Sequence, residues 1–316
     1  MTQVLKVGRE HAPGQVRRRG AASGPRRRMS GAWLPYLLVI PILAFEGVFV
    51  LYPIVKGILT SFKSQELGQS GSYTFSNYSR MFADPVFWQV VRVTLTFTAL
   101  VVVLMLIAGL FIAMLLNWSF RGRGFVRGIL SIPWALPDIP VVLTFLLMAD
   151  PNFGILNRMA SWLGFGHHNA FFTSSHLAFP SIVVLTVWKG FPFYALITLS
   201  ALQAVPDELL EAARVDGAGA IRRFRSVVLP SITPTLCLLA VLAFIFSLQQ
   251  FSLIYLTTGG GPGNDTTTFS IDIYNQAFQF FNYSYASAIA VVGLFLSVIG
   301  TALFVYIERR VVRSRS

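Results

Sequence analysis

Six stretches of this 316-residue chain are apolar for long enough to cross a lipid bilayer, and nothing else in the sequence limits the fold as strongly. A membrane-spanning helix needs about 20 consecutive, mostly apolar residues. Runs of that kind lie near 34–61, 90–117, 126–149, 178–203, 232–256 and 285–307. Lipid offers backbone N–H and C=O groups no partner, and the alternating pattern of a barrel strand is absent, so these runs are expected to be helices. Hydrophobic types make up 54% of the residues and charged types 12%, too few polar groups to cover a soluble domain of this length. The expected fold class is an all-α integral membrane protein with six transmembrane helices.

The formal charge of +12 is not gathered on one face. It lacks the basic groove with interleaved aromatics that binds nucleic acid. Arginine runs at 17–19 and 26–28, then Arg121, Arg123 and Arg127, then Arg214, Arg222, Arg223 and Arg225, then Arg309, Arg310, Arg313 and Arg315 occupy alternate gaps between apolar runs. The gaps between them hold only Lys63 and Arg80, then Arg158, then none. The positive-inside rule therefore predicts a multi-pass protein of a bacterial-type inner membrane with both termini cytoplasmic. The first apolar run is too long for a secretory signal. Residues 1–32 are expected to be a disordered basic tail, 33–308 the transmembrane domain and 309–316 a cytoplasmic tail.

Several chemistries are not supported. Cys237 is the single cysteine and has no metal-ligand companion. His167, His168 and His176 lack a carboxylate or thiol at ligand spacing, so they read as loop residues. The run G-G-G-P-G-N from Gly259 lacks the G-K-[ST] ending of a phosphate loop, and no other segment matches one. No metal or nucleotide cofactor is expected on this chain.

The segment 205–231 is too polar to cross a membrane and too patterned for a plain loop. Pro206 suits a first helical turn, and Asp207, Glu208 and Glu211 place negative charge near the helix N-terminus. Gly217 suits the left-handed residue that ends a helix. A second short helix is expected from about Ala220 to Val228, with Pro230 where the fifth span begins. Leu209, Leu210, Ala213 and Phe224 would stay partly exposed on such a projection, which calls for a partner.

The run E-A-A-R-V-D-G-A followed by F-R-S-V-V-L-P resembles the cytoplasmic signature of the permeases of binding-protein-dependent ABC importers. The segments Pro41 to Phe62, Phe75 to Trp88 and Leu256 to Thr268 are similar to those of the carbohydrate branch, the maltose and glycerol-phosphate type. The resemblance implies that 205–231 is a coupling helix between spans four and five, seated on a separate ATPase. Its expected coupling residues are Glu208, Leu209, Leu210, Glu211, Ala212, Ala213, Asp216, Gly217 and Phe224. It further implies an ABC ATPase dimer that holds ATP and Mg, a second homologous permease subunit, an extracytoplasmic solute-binding protein, and a carbohydrate or related solute as cargo.

Polar residues inside the spans are the remaining signal, because an ionisable group at the bilayer centre costs roughly 3 kcal/mol. Trp134 and Asp138 share a face of span three, near which prolines 133, 137 and 140 are expected to break the span and widen a cavity. Thr186, Lys189 and Gly190 lie in span four, Ser247 and Gln250 in span five. In the resembling family these positions line a midplane sugar cavity, so all seven are expected substrate-binding residues. Two readings of Asp138 and Lys189 stay open: contact with substrate, or a buried structural ion pair. Glu46 in span one has no evident partner. An ion-coupled secondary transporter is the alternative suggested by a broken span. It has no use for the signature, and no nucleophile–base pair suggests a membrane enzyme.

Overall fold

A computed structural model describes residues 34–64, 72–164, 166 and 168–313. The basic tail, His167 and Arg315 lie outside the described residues. The chain divides into two compact units, residues 1–53 and 54–316.

The first unit is a helix, α1 (Leu34–Glu46), continued by a π-helical turn at Gly47–Leu51. Most of its described side chains, Phe45, Phe49 and Leu51 among them, are exposed. Glu46 is exposed as well. The helical path continues as α2 (Tyr52–Ser61). The π turn lies one turn before Pro53, whose ring would clash with the carbonyl four residues back in a regular α-helix; the wider turn relieves this.

The second unit is almost wholly helical: α3 (Ser76–Ala83), α4 (Pro85–Asn117), α5 (Arg123–Ala135), α6 (Asp138–Met148), α7 (Ile155–Trp162), α8 (Ala178–Gln203), α9 (Asp207–Val215), α10 (Ala220–Arg223), α11 (Leu229–Leu248), α12 (Ser252–Thr257), α13 (Phe269–Tyr274) and α14 (Tyr283–Arg313). Among the described residues the only β pairing is one isolated bridge, Lys63 with Tyr73. Among the described residues five helices are long and apolar enough to cross a membrane, and α5 with α6 forms a bent pair that makes a sixth if it crosses as one span.

The second unit is organised on α4 and α8. Phe97, Val101 and Met105 of α4 meet Ile182, Val183 and Tyr194 of α8, and Leu239, Ala240 and Ala243 of α11 close the cluster. The approach is tightest at Gly109, where an added Cβ would stand 2.8 Å from Tyr194 Cβ and 3.1 Å from its carbonyl carbon. A second cluster, Met81, Phe87, Val90, Phe269, Tyr285 and Ile289, ties α3, α13 and α14 to the start of α4. That start is set by Asp84, whose carboxylate accepts from Val86 N–H at 2.9 Å ahead of Pro85. The Thr94 hydroxyl accepts from Phe269 N–H at 3.0 Å and holds α13 against α4.

Three expectations need correction. Span three is broken, as its prolines lead one to expect, and sharply: α5 and α6 meet at 95°, because Pro137 forces Leu136 into an extended conformation. Trp134 and Asp138 therefore do not share a helical face. The short helix after Gly219 does not stop at Val228. It runs through a π turn, Phe224–Val228, into α11, so Pro230 continues the helix and the π turn absorbs its missing donor. Finally, α11 ends at Leu248, which leaves Gln250 beyond the helix.

Replacing Gly109 with alanine should force α4 from α8 at a cost of about 1–3 kcal/mol. Thermal denaturation of the purified protein in detergent should show the loss, and an unchanged midpoint would mean the two helices can separate freely there.

Candidate functional site

The break between α5 and α6 opens a cavity of about 420 Å³, bounded by α4, α5, α6, α8, the end of α11 and α12. Trp134, Asp138, Thr186, Lys189, Gly190, Phe193, Tyr194, Gln249 and Gln250 line it, with Met105, Phe246 and Leu253. Six of the seven expected substrate residues thus fall on one wall set, from three separate helical segments and a loop. Ser247 does not. It is buried, and its hydroxyl donates to Phe244 O at 3.0 Å, as serines in apolar helices commonly do.

Sequence reading missed Gln249, which lies in the cavity beside Gln250. In an unbroken helix the two adjacent amides would point about 100° apart. Termination at Leu248 removes that constraint and lets both reach the same space. The doublet Q-Q in an otherwise apolar run was the available signal. Phe193 was also missed. Its ring stacks on Trp134 with centroids 5.7 Å apart and planes 28° from parallel, giving an aromatic shelf.

Both readings of the ionic pair have geometric support. Lys189 Nζ stands 3.1 Å from Asp138 Oδ1 and donates to Leu136 O at 2.9 Å. The lysine therefore spans the break: it satisfies a carbonyl at the end of α5 and the acid that opens α6. Asp138 also faces the helix N-terminus, where the macrodipole favours negative charge. Both groups still face the cavity.

Thr186, like Thr98, Thr198 and Thr268, has a buried hydroxyl without a partner among the described residues. It is 5% exposed and lines the cavity. Buried hydroxyls are rarely left so, because the unmet bond costs roughly 1–3 kcal/mol.

The polar segment after α8 forms a helical hairpin. Gly217 has φ +74°, its N–H donates to Arg214 O at 3.0 Å, and Ala218 N–H donates to Ala213 O at 2.9 Å, the paired bonds of a Schellman end. Glu208, Leu209, Glu211, Ala212, Asp216 and Gly217 are exposed. Leu210 and Phe224 are half-buried and face each other across a small cleft with Arg214, Ala220, Arg223 and Val228, so they hold the hairpin together. Ala213 is half-buried as well. His168 is held by Pro151 O at 2.9 Å, and no group of three metal-capable side chains occurs among the described residues.

If the ion pair is a strut across the helix break, alanine at Asp138 or Lys189 should each lower stability by about 1–2 kcal/mol, discounted for the part-exposure of Asp138. The double alanine variant should recover part of the loss, because neither charge is then orphaned. Thermal denaturation of the three variants measures this; additive losses would mean the groups do not act as a pair.

Comparison with known proteins agrees with this architecture. Residues 105–313 match the family described as binding-protein-dependent transport system inner membrane component. The chain is 37% identical over 279 residues to the sulfoquinovosyl glycerol transport system permease protein SmoG of Agrobacterium fabrum, covering 87% of this chain and 90% of the relative. It is 35% identical to the trehalose/maltose transport system permease protein MalF of Thermococcus litoralis, over 88% of this chain and 94% of that protein. It is 34% identical to the sn-glycerol-3-phosphate transport system permease protein UgpA of Yersinia pestis, over 92% and 99%. In fold it resembles a subunit of the bacterial alginate ABC transporter solved with its alginate pentasaccharide-bound periplasmic protein, with TM-score 0.79 at 23% identity, over 90% of this chain and 96% of that one. The chain belongs to the family of inner membrane components of binding-protein-dependent transport systems and is a permease subunit of an ABC importer.

Proposed function

We propose that the α5–α6 cavity is the place where this permease holds a carbohydrate or closely related solute on its way through the membrane. The observation that carries the reading is the convergence of two amides, an ion pair and a stacked aromatic pair on one cavity at the helix break. An aromatic face suits the C–H side of a sugar ring, and amides and hydroxyls suit its O–H groups. Relatives that carry trehalose, maltose and sulfoquinovosyl glycerol support the same class. Trp134, Asp138, Thr186, Lys189, Gly190, Gln249 and Gln250 are the proposed contacts; Ser247 supports the wall from behind.

The partners follow from the family. A solute-binding protein delivers the cargo, a second permease of the same family completes the path, and a separate ATPase pair binds ATP and Mg. Helix α9 with Gly217 is the proposed coupling element, in the cytoplasm together with both chain termini. Its exposed Glu211, Ala212 and Asp216 would seat on the ATPase.

Thr186→Val tests the cavity directly. Removing an unsatisfied buried hydroxyl should leave stability equal or raise it by about 1 kcal/mol. Uptake into reconstituted vesicles should fall at least tenfold with the complex assembled. Normal uptake by an assembled Thr186→Val complex would remove Thr186 from the path.

The coupling element has its own test. Gly217→Val strains a left-handed residue by about 1 kcal/mol or more and should misdirect the hairpin, so uptake and ATPase association are lost while the chain still inserts. In a Cys237→Ser background, a cysteine replacing Gly219 should react with an impermeant maleimide only after the membrane is opened. Labelling in intact cells, or full activity of Gly217→Val, would exclude a cytoplasmic coupling role.

A further inference from the structure

We infer that the cavity selects neutral saccharides, and that the Asp138–Lys189 pair is the device that excludes anionic ones. The inference rests on the cavity being the substrate site. The relatives do not settle the charge of the cargo, because they include carriers of trehalose and maltose, which are neutral, and of sulfoquinovosyl glycerol and sn-glycerol-3-phosphate, which are anionic.

The cavity itself gives a direction. Among the described residues that line it, only Asp138 and Lys189 are of charged type, and their formal charges cancel. No arginine lines it. The lysine has three N–H groups: one points to Asp138 Oδ1 at 3.1 Å, one donates to Leu136 O at 2.9 Å, and one is left for a ligand. A phosphate, sulfonate or carboxylate in this space would meet a cation already paired and a carboxylate of its own sign. It would also lie near the electron-rich faces of Trp134 and Phe193, which do not favour an anion. Its hydration would be lost without a matching charge.

A neutral polyol meets the opposite situation. The second oxygen of Asp138 accepts from one hydroxyl and the remaining ammonium N–H donates to another. The Gln249 and Gln250 amides and the Thr186 hydroxyl each offer both donor and acceptor capacity. The ion pair then acts as a polar contact without net charge. Asp138 has a second effect on selectivity. It occupies the N-terminal end of α6, a position that otherwise favours an anion. Neutralising Asp138 would expose the ammonium and this helix end together, and the cavity would become anion-seeking by a one-atom change.

The test uses the assembled permease–ATPase complex in nanodiscs, without solute-binding protein, so that the permease alone sets selectivity. The probes are trehalose and maltose against their 6-phosphates, with occupancy read by equilibrium dialysis of labelled sugar. Wild type should bind a neutral probe at least tenfold more tightly than its phosphate. Asp138→Asn, which keeps size and one acceptor oxygen for the ammonium, should shift that ratio at least tenfold toward the phosphate. Lys189→Gln should shift it the other way, and this arm serves if Asp138→Asn does not assemble. A wild-type preference for the phosphates, or an unchanged ratio in both variants, overturns the inference and leaves the cavity as a saccharide site. Failure of an assembled wild-type complex to bind any of the four probes rejects the saccharide cavity itself.

Discussion

A helix broken inside a bilayer is tolerable only where the released backbone groups find partners, since lipid supplies none. In this chain the break falls at Leu136–Pro137, and the Lys189 ammonium donates to the Leu136 carbonyl while pairing with the carboxylate of Asp138. One cationic side chain from α8 thereby makes the interrupted backbone of α5 and α6 acceptable. The 95° bend it permits gives the cavity its volume, and the same two charged groups remain among its polar lining. Scaffold and candidate site thus share their central interaction.

The frame around that break is built for close approach. Gly109 lets α4 lie against the backbone of α8 at Tyr194, and Tyr194 in turn reaches the cavity wall. Gly190 sits opposite Met105, close enough that a Cβ there would press on the thioether methyl, a flexible end that can yield. The cavity is therefore bounded on one side by a rigid helix pair and on another by an adaptable side chain. Variation at Met105 or Gly190 would alter its volume without disturbing the ionic strut.

The hairpin after α8 is independent of that frame in its local physics. Its turn is closed by a left-handed glycine and two backbone bonds, and Leu210 and Phe224 face each other across a small cleft between its arms. The acidic first turn and the exposed face of α9 need nothing from the membrane helices to form. The π turn at Phe224–Val228 then carries the hairpin directly into α11, with no intervening loop. From Ala220 onward the helix is continuous to the end of α11 at Leu248, just before the two glutamines of the cavity.

Hydropathy along the sequence determined the helical class and the places of the apolar runs, because a bilayer leaves the backbone no other choice over twenty apolar residues. The signature around Gly217 was equally legible, since a left-handed cap and an acidic first turn are local properties. Asp138, Lys189 and Gln250 could be named because an ionisable or amide side chain in an apolar run needs a reason wherever it points, whereas Trp134, Thr186 and Gly190 were named through the resemblance to the carbohydrate permeases. The tertiary structure alone decided the rest. Prolines 133, 137 and 140 suggested a break, but only the fold shows that it lies after Leu136 and turns the chain so sharply. Ser247 and Gln249 exchanged places because helical phase predicts facing only while the helix lasts, and where α11 stops depends on its packing against α4, α8 and α14. The partnering of Asp138 with Lys189 likewise joins residues 51 positions apart, and no spacing rule within one helix reaches across that distance.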